Sequence, residues 1–196
     1  MVPTAVHGLL LAAGAGRRGG GPKALRRHPD GSSWLASSAR ALLDGGCTEV
    51  LVVLGAGADE ARHLLPDDAT AVLCRTWTEG MGASLRTGLD ALGRAGDVDA
   101  ALTHLVDLPD VGAGVVRRVL AEPATPATLR RAAYDGVPGH PVLIGAGHWA
   151  AIAASAVGDR GARGYLTGQE VELVECGDLA TGLDVDGPTN DQRGAD

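Results

Sequence analysis

The stretch LLLAAGAGRRGGGPKAL, residues 9–25, joins two kinds of sequence, and the junction decides the fold. Its first residues complete an apolar run over residues 6–11, the length of a buried strand. A glycine-rich loop follows at once. Within it Gly14, Gly16 and Gly19 satisfy the G-x-G-x-x-G pattern of dinucleotide-binding proteins. That pattern makes two further demands. The glycines should open a helix, and an acid about 20 residues on, at the end of the second strand, should hold the ribose. Here Gly20, Gly21, Pro22 and Lys23 prolong the loop, and the second apolar run, residues 49–54, continues into Gly55-Ala56-Gly57 with no acid. A Walker A loop is excluded too, because Ala24 follows Lys23 where Ser or Thr is required. What remains is a long glycine loop carrying Arg18 and Lys23. Glycines let the backbone approach a phosphate closely and aim N–H groups at it; a guanidinium fork and a mobile ammonium add charge. These residues point to a loop for a nucleoside triphosphate.

Outward from this loop the apolar pattern alternates between two periods. Residues 6–11, 49–54, 69–74, 100–106, 130–134, 140–144 and 171–176 read as strands. Residues 33–43, 58–65, 81–92, 111–120 and 149–157 read as helices, the first stopped by Gly45-Gly46 and the second by Pro66. Such alternation predicts an α/β sandwich with a mostly parallel sheet, and continuous apolar strands predict burial on both faces. Ligands of such sheets lie at the carboxyl ends of the strands. That rule selects the loop after Leu11, the loop after Cys74, and Asp107 after the fourth strand. One domain over residues 1–186 is expected, with a polar tail over 187–196.

The chain of 196 residues is long enough for one sizeable core, and 45% of it is hydrophobic. Thirty glycines stand where average usage of about 7% gives about 14, so each glycine motif needs support from its context. A formal net charge of −7 disfavours nucleic acid and anionic membranes as partners. Phe is absent and aromatics are few, which disfavours stacking on single strands. No apolar run reaches a membrane span, and the apolar start lacks the basic region of a signal peptide. Cys47, Cys74 and Cys176 are scattered and odd in number, which fits neither a disulfide framework nor a zinc site. A cytoplasmic protein is expected.

The loop in its full length resembles the signature L-A-A-G-x-G-x-R-M-G-x-P-K-x-L of the MobA-like nucleotidyltransferases. Ala12, Ala13, Gly14, Gly16, Arg18, Gly20, Pro22, Lys23 and Leu25 fall in register, and Gly19 departs from the usual Met. TEGMGASLRTGLDAL, residues 78–92, resembles the block that binds the base, with Gly80, Ser84 and Gly88 in place. LVDLPDV, with Asp107, resembles the family's D-x-P block, and LDVDGPTND its late D-x-D-x-P-x-D block, in which Asn190 replaces the last acid. The resemblance spans nearly the whole chain. It implies a three-layer α/β/α Rossmann-like sandwich of the nucleotide-diphospho-sugar transferase kind. It also implies transfer of a nucleoside monophosphate to an anionic acceptor, with release of pyrophosphate. Arg18, Lys23 and Asp107 are then the catalytic set. Ala12, Ala13, Gly14, Gly16, Arg18, Lys23, Gly80 and Ser84 bind the nucleotide. Asp107 and Asp186 hold Mg²⁺, with Asp184 a neighbour that competes for the second place.

The segments GHPVL, residues 139–143, and GDRGAR, residues 158–163, resemble the molybdenum cofactor cytidylyltransferase branch. That branch implies CTP as donor, the terminal phosphate of molybdopterin as acceptor, and a molybdenum hydroxylase as recipient of the product. His140, Asp159 and Arg163 become acceptor-binding residues. Simpler roles stay open for each: a strand-edge histidine, an N-cap of the next helix, and an ion pair with Glu170 or Glu172. Three other functions stay open as well. These are a guanylyltransferase or a transferase for another phosphorylated acceptor, a non-catalytic nucleotide-binding partner of a hydroxylase, and an NAD-dependent oxidoreductase, which lacks its ribose acid.

Overall fold

A computed structural model describes residues 5–16 and 20–185. Among these residues seven strands form one sheet: β1 (Val6–Ala12), β2 (Val50–Leu54), β3 (Ala69–Leu73), β4 (Ala100–Leu105), β5 (Leu129–Tyr134), β6 (Val137–Gly145) and β7 (Glu172–Glu175). Their order is β3-β2-β1-β4-β6-β5-β7. The pairs β1–β2, β1–β4, β2–β3 and β5–β7 are parallel, while β6 runs antiparallel to both β4 and β5. Among the described residues six α-helices flank the sheet: α1 (Trp34–Asp44), α2 (Ala58–Ala61), α3 (Met81–Ala95), α4 (Ala113–Val119), α5 (Trp149–Ser155) and α6 (Arg163–Leu166).

The layers follow from strand alternation. Leu10 and Ala12 of β1 pack with Leu35, Leu42, Val115 and Val119, which puts α1 and α4 on one face. Leu9 and Leu11 pack with Leu85, Leu89, Ile152 and Leu166, which puts α3, α5 and α6 on the other. Ser33 caps α1, its hydroxyl accepting the Ala36 N–H at 3.3 Å. The three-layer α/β/α sandwich read from the sequence is present.

Three expectations need correction. Strand β3 is at the sheet edge, so Thr70, Ala71 and Leu73 are exposed although the segment is apolar. The strand expected at residues 140–144 begins earlier, at Val137, because Asp135 and Gly136 form a two-residue hairpin with φ values of 51° and 77°. An Asp-Gly pair suits a tight turn with positive φ at both positions, and such a turn forces β6 back against β5. This hairpin is why the sheet is mixed. The 58–65 helix is shorter than expected, with one α turn passing into a 3₁₀ turn at Arg62–Leu64.

Two polar side chains, one of them charged, enter the α1/α4 face. Arg130, paired across to Leu143, donates Nε to Glu172 at 2.7 Å and Nη1 to the carbonyls of Val119 and Glu122. His104, paired across to Leu10, is fully buried, and neither ring nitrogen has a hydrogen-bond partner among the described residues. Burial, with a smaller push from His140, lowers its pKa to about 3. The unfolded chain binds that proton near the ordinary value of about 6.5. Unfolding is therefore favoured as pH drops below about 6.5, with a slope of up to about 1.4 kcal/mol per pH unit. In urea unfolding followed between pH 7 and pH 4, wild type should lose stability more steeply than His104→Leu. Equal slopes would show that this histidine does not resist protonation.

Candidate functional site

A cleft of about 450 Å³ opens at the carboxyl ends of β1 and β4. The segment after β1 contributes Leu11 to Gly16 and Lys23; the turn after β4 contributes Leu105, Val106 and Asp107. The segment before α3 contributes Trp77, Thr78 and Gly80, and the helix itself Met81 and Ser84. Asp159 closes the wall. Nine residues singled out from the sequence meet here: Ala12, Ala13, Gly14, Gly16, Lys23, Gly80, Ser84, Asp107 and Asp159. Arg18 and Asp186, and the tail from Gly187, lie outside the described residues. Asp184 is exposed and away from the cleft lining. His140 is half-buried on β6 and Arg163 exposed on α6, and neither lines the cleft.

The centre of the site is an ion pair. Lys23 Nζ lies 2.5 Å from Asp107 Oδ2, and their side chains are only 20% and 15% exposed. Both ends are fixed by backbone. Lys23 begins a 3₁₀ turn, Lys23–Leu25, in which Leu25 N–H donates to Pro22 at 3.0 Å. Gly21 N–H donates back to the Gly16 carbonyl at 3.3 Å, drawing the glycine loop together at its neck. On the other side Val106 N–H donates to Leu11, and the Asp107 carbonyl accepts the Val185 N–H at 3.0 Å. Arg26 Nη1 donates to Val185 O at 2.8 Å, so the residue next to the 3₁₀ turn and the residue beside Asp107 share one late segment. Thr181 ties that segment to Asp110 through its N–H and hydroxyl, at 2.7 and 2.6 Å. A low-dielectric wall makes such a pair stronger than one in water.

Two glycines shape the remaining walls. A Cβ on Gly55, at the end of β2, would stand 2.7 Å from both Trp77 and the Ala13 carbonyl. The place where a dinucleotide fold presents its ribose acid is therefore filled by an indole. Among the described residues the first α-helix begins only at Trp34, so none opens on the described glycines as that fold requires. Gly80, with φ 104°, lies against Gly158 and Asp159 at 2.6 Å from its would-be Cβ. It is the N-cap of α3 and the seat of Asp159 together.

Asp159 is not an N-cap: α6 starts from Ala162 without a side-chain bond. Nor does Arg163 pair with Glu172, which Arg130 occupies. Burial first and Arg131 next lower the His140 pKa to about 4, against an opposing pull from Asp107. Sequence reasoning passes over Trp77, and within the block at residues 78–92 it does not single out Thr78 and Met81, which also line the cleft. The strand-end rule marks their loop without saying which side chains turn inward. Arg26 carries no signal at all, since its role depends on a partner 159 positions away.

A glycine loop, a lysine–aspartate pair and a cleft across strand ends define an α/β protein built to bind a phosphorylated nucleotide. The chain belongs to the MobA-like NTP transferase domain family, whose model matches residues 8–173. It is 39% identical over 193 residues to nicotine blue oxidoreductase of Paenarthrobacter nicotinovorans, covering 92% of each chain. The Mycobacterium sp. strain JC1 homolog of Mycobacterium tuberculosis Rv0371c superposes with a TM-score of 0.75 at 25% identity, over 95% of this chain and 92% of that one. A nucleotidyl transferase from Methanothermobacter thermautotroptrophicus, Mth528, gives 0.75 at 23% identity over 93% and 92%, a likeness of fold. Among the described residues no helix is long and apolar enough to cross a membrane.

Gly80→Ala should cost about 1–3 kcal/mol, since a side chain at that φ is strained and must displace the backbone of Gly158. Thermal unfolding should show this, and nucleotide affinity should drop with it as Asp159 moves. A variant as stable as wild type would mean that the 158–161 turn yields freely.

Proposed function

We propose that the protein transfers a nucleoside monophosphate from CTP to the terminal phosphate of molybdopterin, releasing pyrophosphate, for delivery to a molybdenum hydroxylase. The observation that carries this reading is the Lys23–Asp107 pair under the glycine loop, a cation and an anion held together where triphosphate and metal would meet. Gly14, Gly16 and the backbone around them, with Lys23 and with Arg18 beyond the described part of the loop, hold the phosphates. Gly80 and Ser84 stand at the start of α3, on the side assigned to the base. His140, Asp159 and Arg163 are assigned to the acceptor.

Asp107 and, outside the described residues, Asp186 would hold Mg²⁺. One or two carboxylates completed by substrate phosphates is the donor set that magnesium favours, and a cleft-facing Asp107 fits it. When bound, the ion neutralises charge on the leaving pyrophosphate. The acceptor phosphate is anionic near neutral pH, so its oxygen attacks the α-phosphorus without a strong general base. Lys23 then stabilises charge on the departing phosphates, and the rest of the work is positioning.

A second reading is favoured by one finding, the 39% identity to a protein named nicotine blue oxidoreductase. On that reading the cleft takes a nicotinamide dinucleotide and the chemistry is reduction of a dye of that kind. The indole against Gly55 and the missing ribose acid weigh against it.

A thermal-shift panel with Mg²⁺ and, separately, CTP, GTP, ATP, UTP, NADH and NADPH separates the readings. A ligand at about 100 times its Kd stabilises by about 2.7 kcal/mol. Selective stabilisation by CTP is expected. Selective response to GTP would move the assignment to guanylyl transfer, and response to the dinucleotides alone would favour the oxidoreductase.

Asp107→Asn should keep the melting temperature within a few degrees and remove most pyrophosphate release. Full turnover in that variant would remove Asp107 from the metal site.

A further inference from the structure

Arg130 and Arg131 are neighbours on β5, and strand alternation sends them to opposite faces. Arg130 is closed off. Its charge is met by Glu172 and its remaining contacts are carbonyls. Arg131 is paired across to Val142, whose side chain packs in the α3/α5/α6 core. Its Nε and Nη2 both donate to the carbonyl of Gly139, at 3.0 and 2.8 Å. A guanidinium has five N–H donors, so this clamp uses two and leaves the Nη1 edge and one Nη2 hydrogen for something else. Among the described residues no carboxylate lies within ion-pair distance of Arg131 or of Arg163.

The surroundings add positive charge. Arg163 lies on α6, whose Leu166 packs into the same face. Burial, with the like charge of Arg163, lowers the Arg131 pKa. Val142 pairs with Thr103 of β4 as well as with Arg131, and β6 runs antiparallel to β4, so Gly139, three residues earlier on β6, lies toward the end at which β4 leads into Asp107; the guanidinium that it clamps is held toward that end of the sheet. A half-buried guanidinium with no acid beside it is costly unless an anion supplies the missing charge.

We propose that Arg131, held by the Gly139 carbonyl and assisted by Arg163, binds the phosphomonoester of the acceptor beside the nucleotide cleft. This assignment rests on the transferase reading for the identity of the ligand, but not for the presence of an anion site. A planar fork fixed at one edge suits bidentate capture of a phosphate dianion. It would set the acceptor phosphate near Asp107 and leave the glycine loop to the triphosphate. Arg163, being exposed, would meet the anion from the solvent side.

The test is a titration with inorganic phosphate, followed by calorimetry on the whole chain saturated with a CTP analogue carrying a methylene between its α- and β-phosphorus atoms. Wild type should bind phosphate. Arg131→Gln and Arg163→Gln should each weaken it about tenfold or more, and Arg131→Lys should recover part of the loss. Affinity for the analogue should change by less than threefold in all of them. Phosphate affinity that Arg131→Gln and Arg163→Gln leave unchanged, or no phosphate binding by wild type, overturns the proposal. Should Arg131→Gln fail to fold, Arg163→Gln alters only an exposed side chain and decides the matter by itself: unchanged phosphate affinity in that variant overturns the site. If wild type binds no CTP analogue, the transferase reading fails on its own. The titration without nucleotide then still decides, because phosphate lost in Lys23→Ala but kept in Arg131→Gln places the ion in the glycine loop and overturns the site.

Discussion

Strand β1 is hydrogen-bonded along both edges and buried on both faces, and the remaining elements are arranged around it. Its parallel pairing with β4 is the constraint with the widest reach. Leu11 stands beside Leu105, so the two strands end at the same level. The loop that leaves β1 and the turn that leaves β4 must then share one space. Lys23 and Asp107, 84 positions apart in sequence, meet for that reason. A slip of one residue in that pairing would turn Leu10 and Leu9 toward the wrong layers, so the hydrophobic pattern that holds the register also holds the ion pair.

Much of this is legible in the sequence. The buried central strands β1 and β2 announce themselves by apolar runs, and all seven strands fall where the sequence places them, with ends shifted by a residue or so in most; the exposure of the edge strands β3 and β7 is not legible in the same way. The glycine loop is legible because few functions require that order of glycine, proline and lysine. Asp107 is legible through the rule that α/β sheets bind at strand ends. The hairpin at Asp135-Gly136 is legible in principle, since its two residues are a strong turn signal. The apolar run that starts only at His140 outweighs that signal and draws the expected strand too short.

What stays hidden depends on contacts across the fold. Nothing near Arg131 marks it as different from Arg130; only the face each one enters separates a guanidinium with a carboxylate partner from one without. His104 looks like an ordinary polar interruption in a strand, and its burial depends on β1 and β6 closing on either side of β4. The surplus of glycine makes chance motifs common, which obscures its use. At Gly55 and Gly80 it has a physical purpose, which is to let an indole and a turn approach the backbone closely enough to wall the cleft.

The Lys23–Asp107 pair also governs how far the site makes itself felt. A lone ammonium is a monopole, and its field draws anions from a distance limited mainly by salt. Locked to a carboxylate at 2.5 Å, the same ammonium becomes half of a dipole, whose field fades much faster. The protein as a whole carries a net charge of −7, so an approaching polyanion meets repulsion at long range, and the paired ammonium does little to offset it. On the proposed function, capture of the triphosphate would be a short-range event, and a metal ion sharing Asp107 would free Lys23 to present its charge to the cleft.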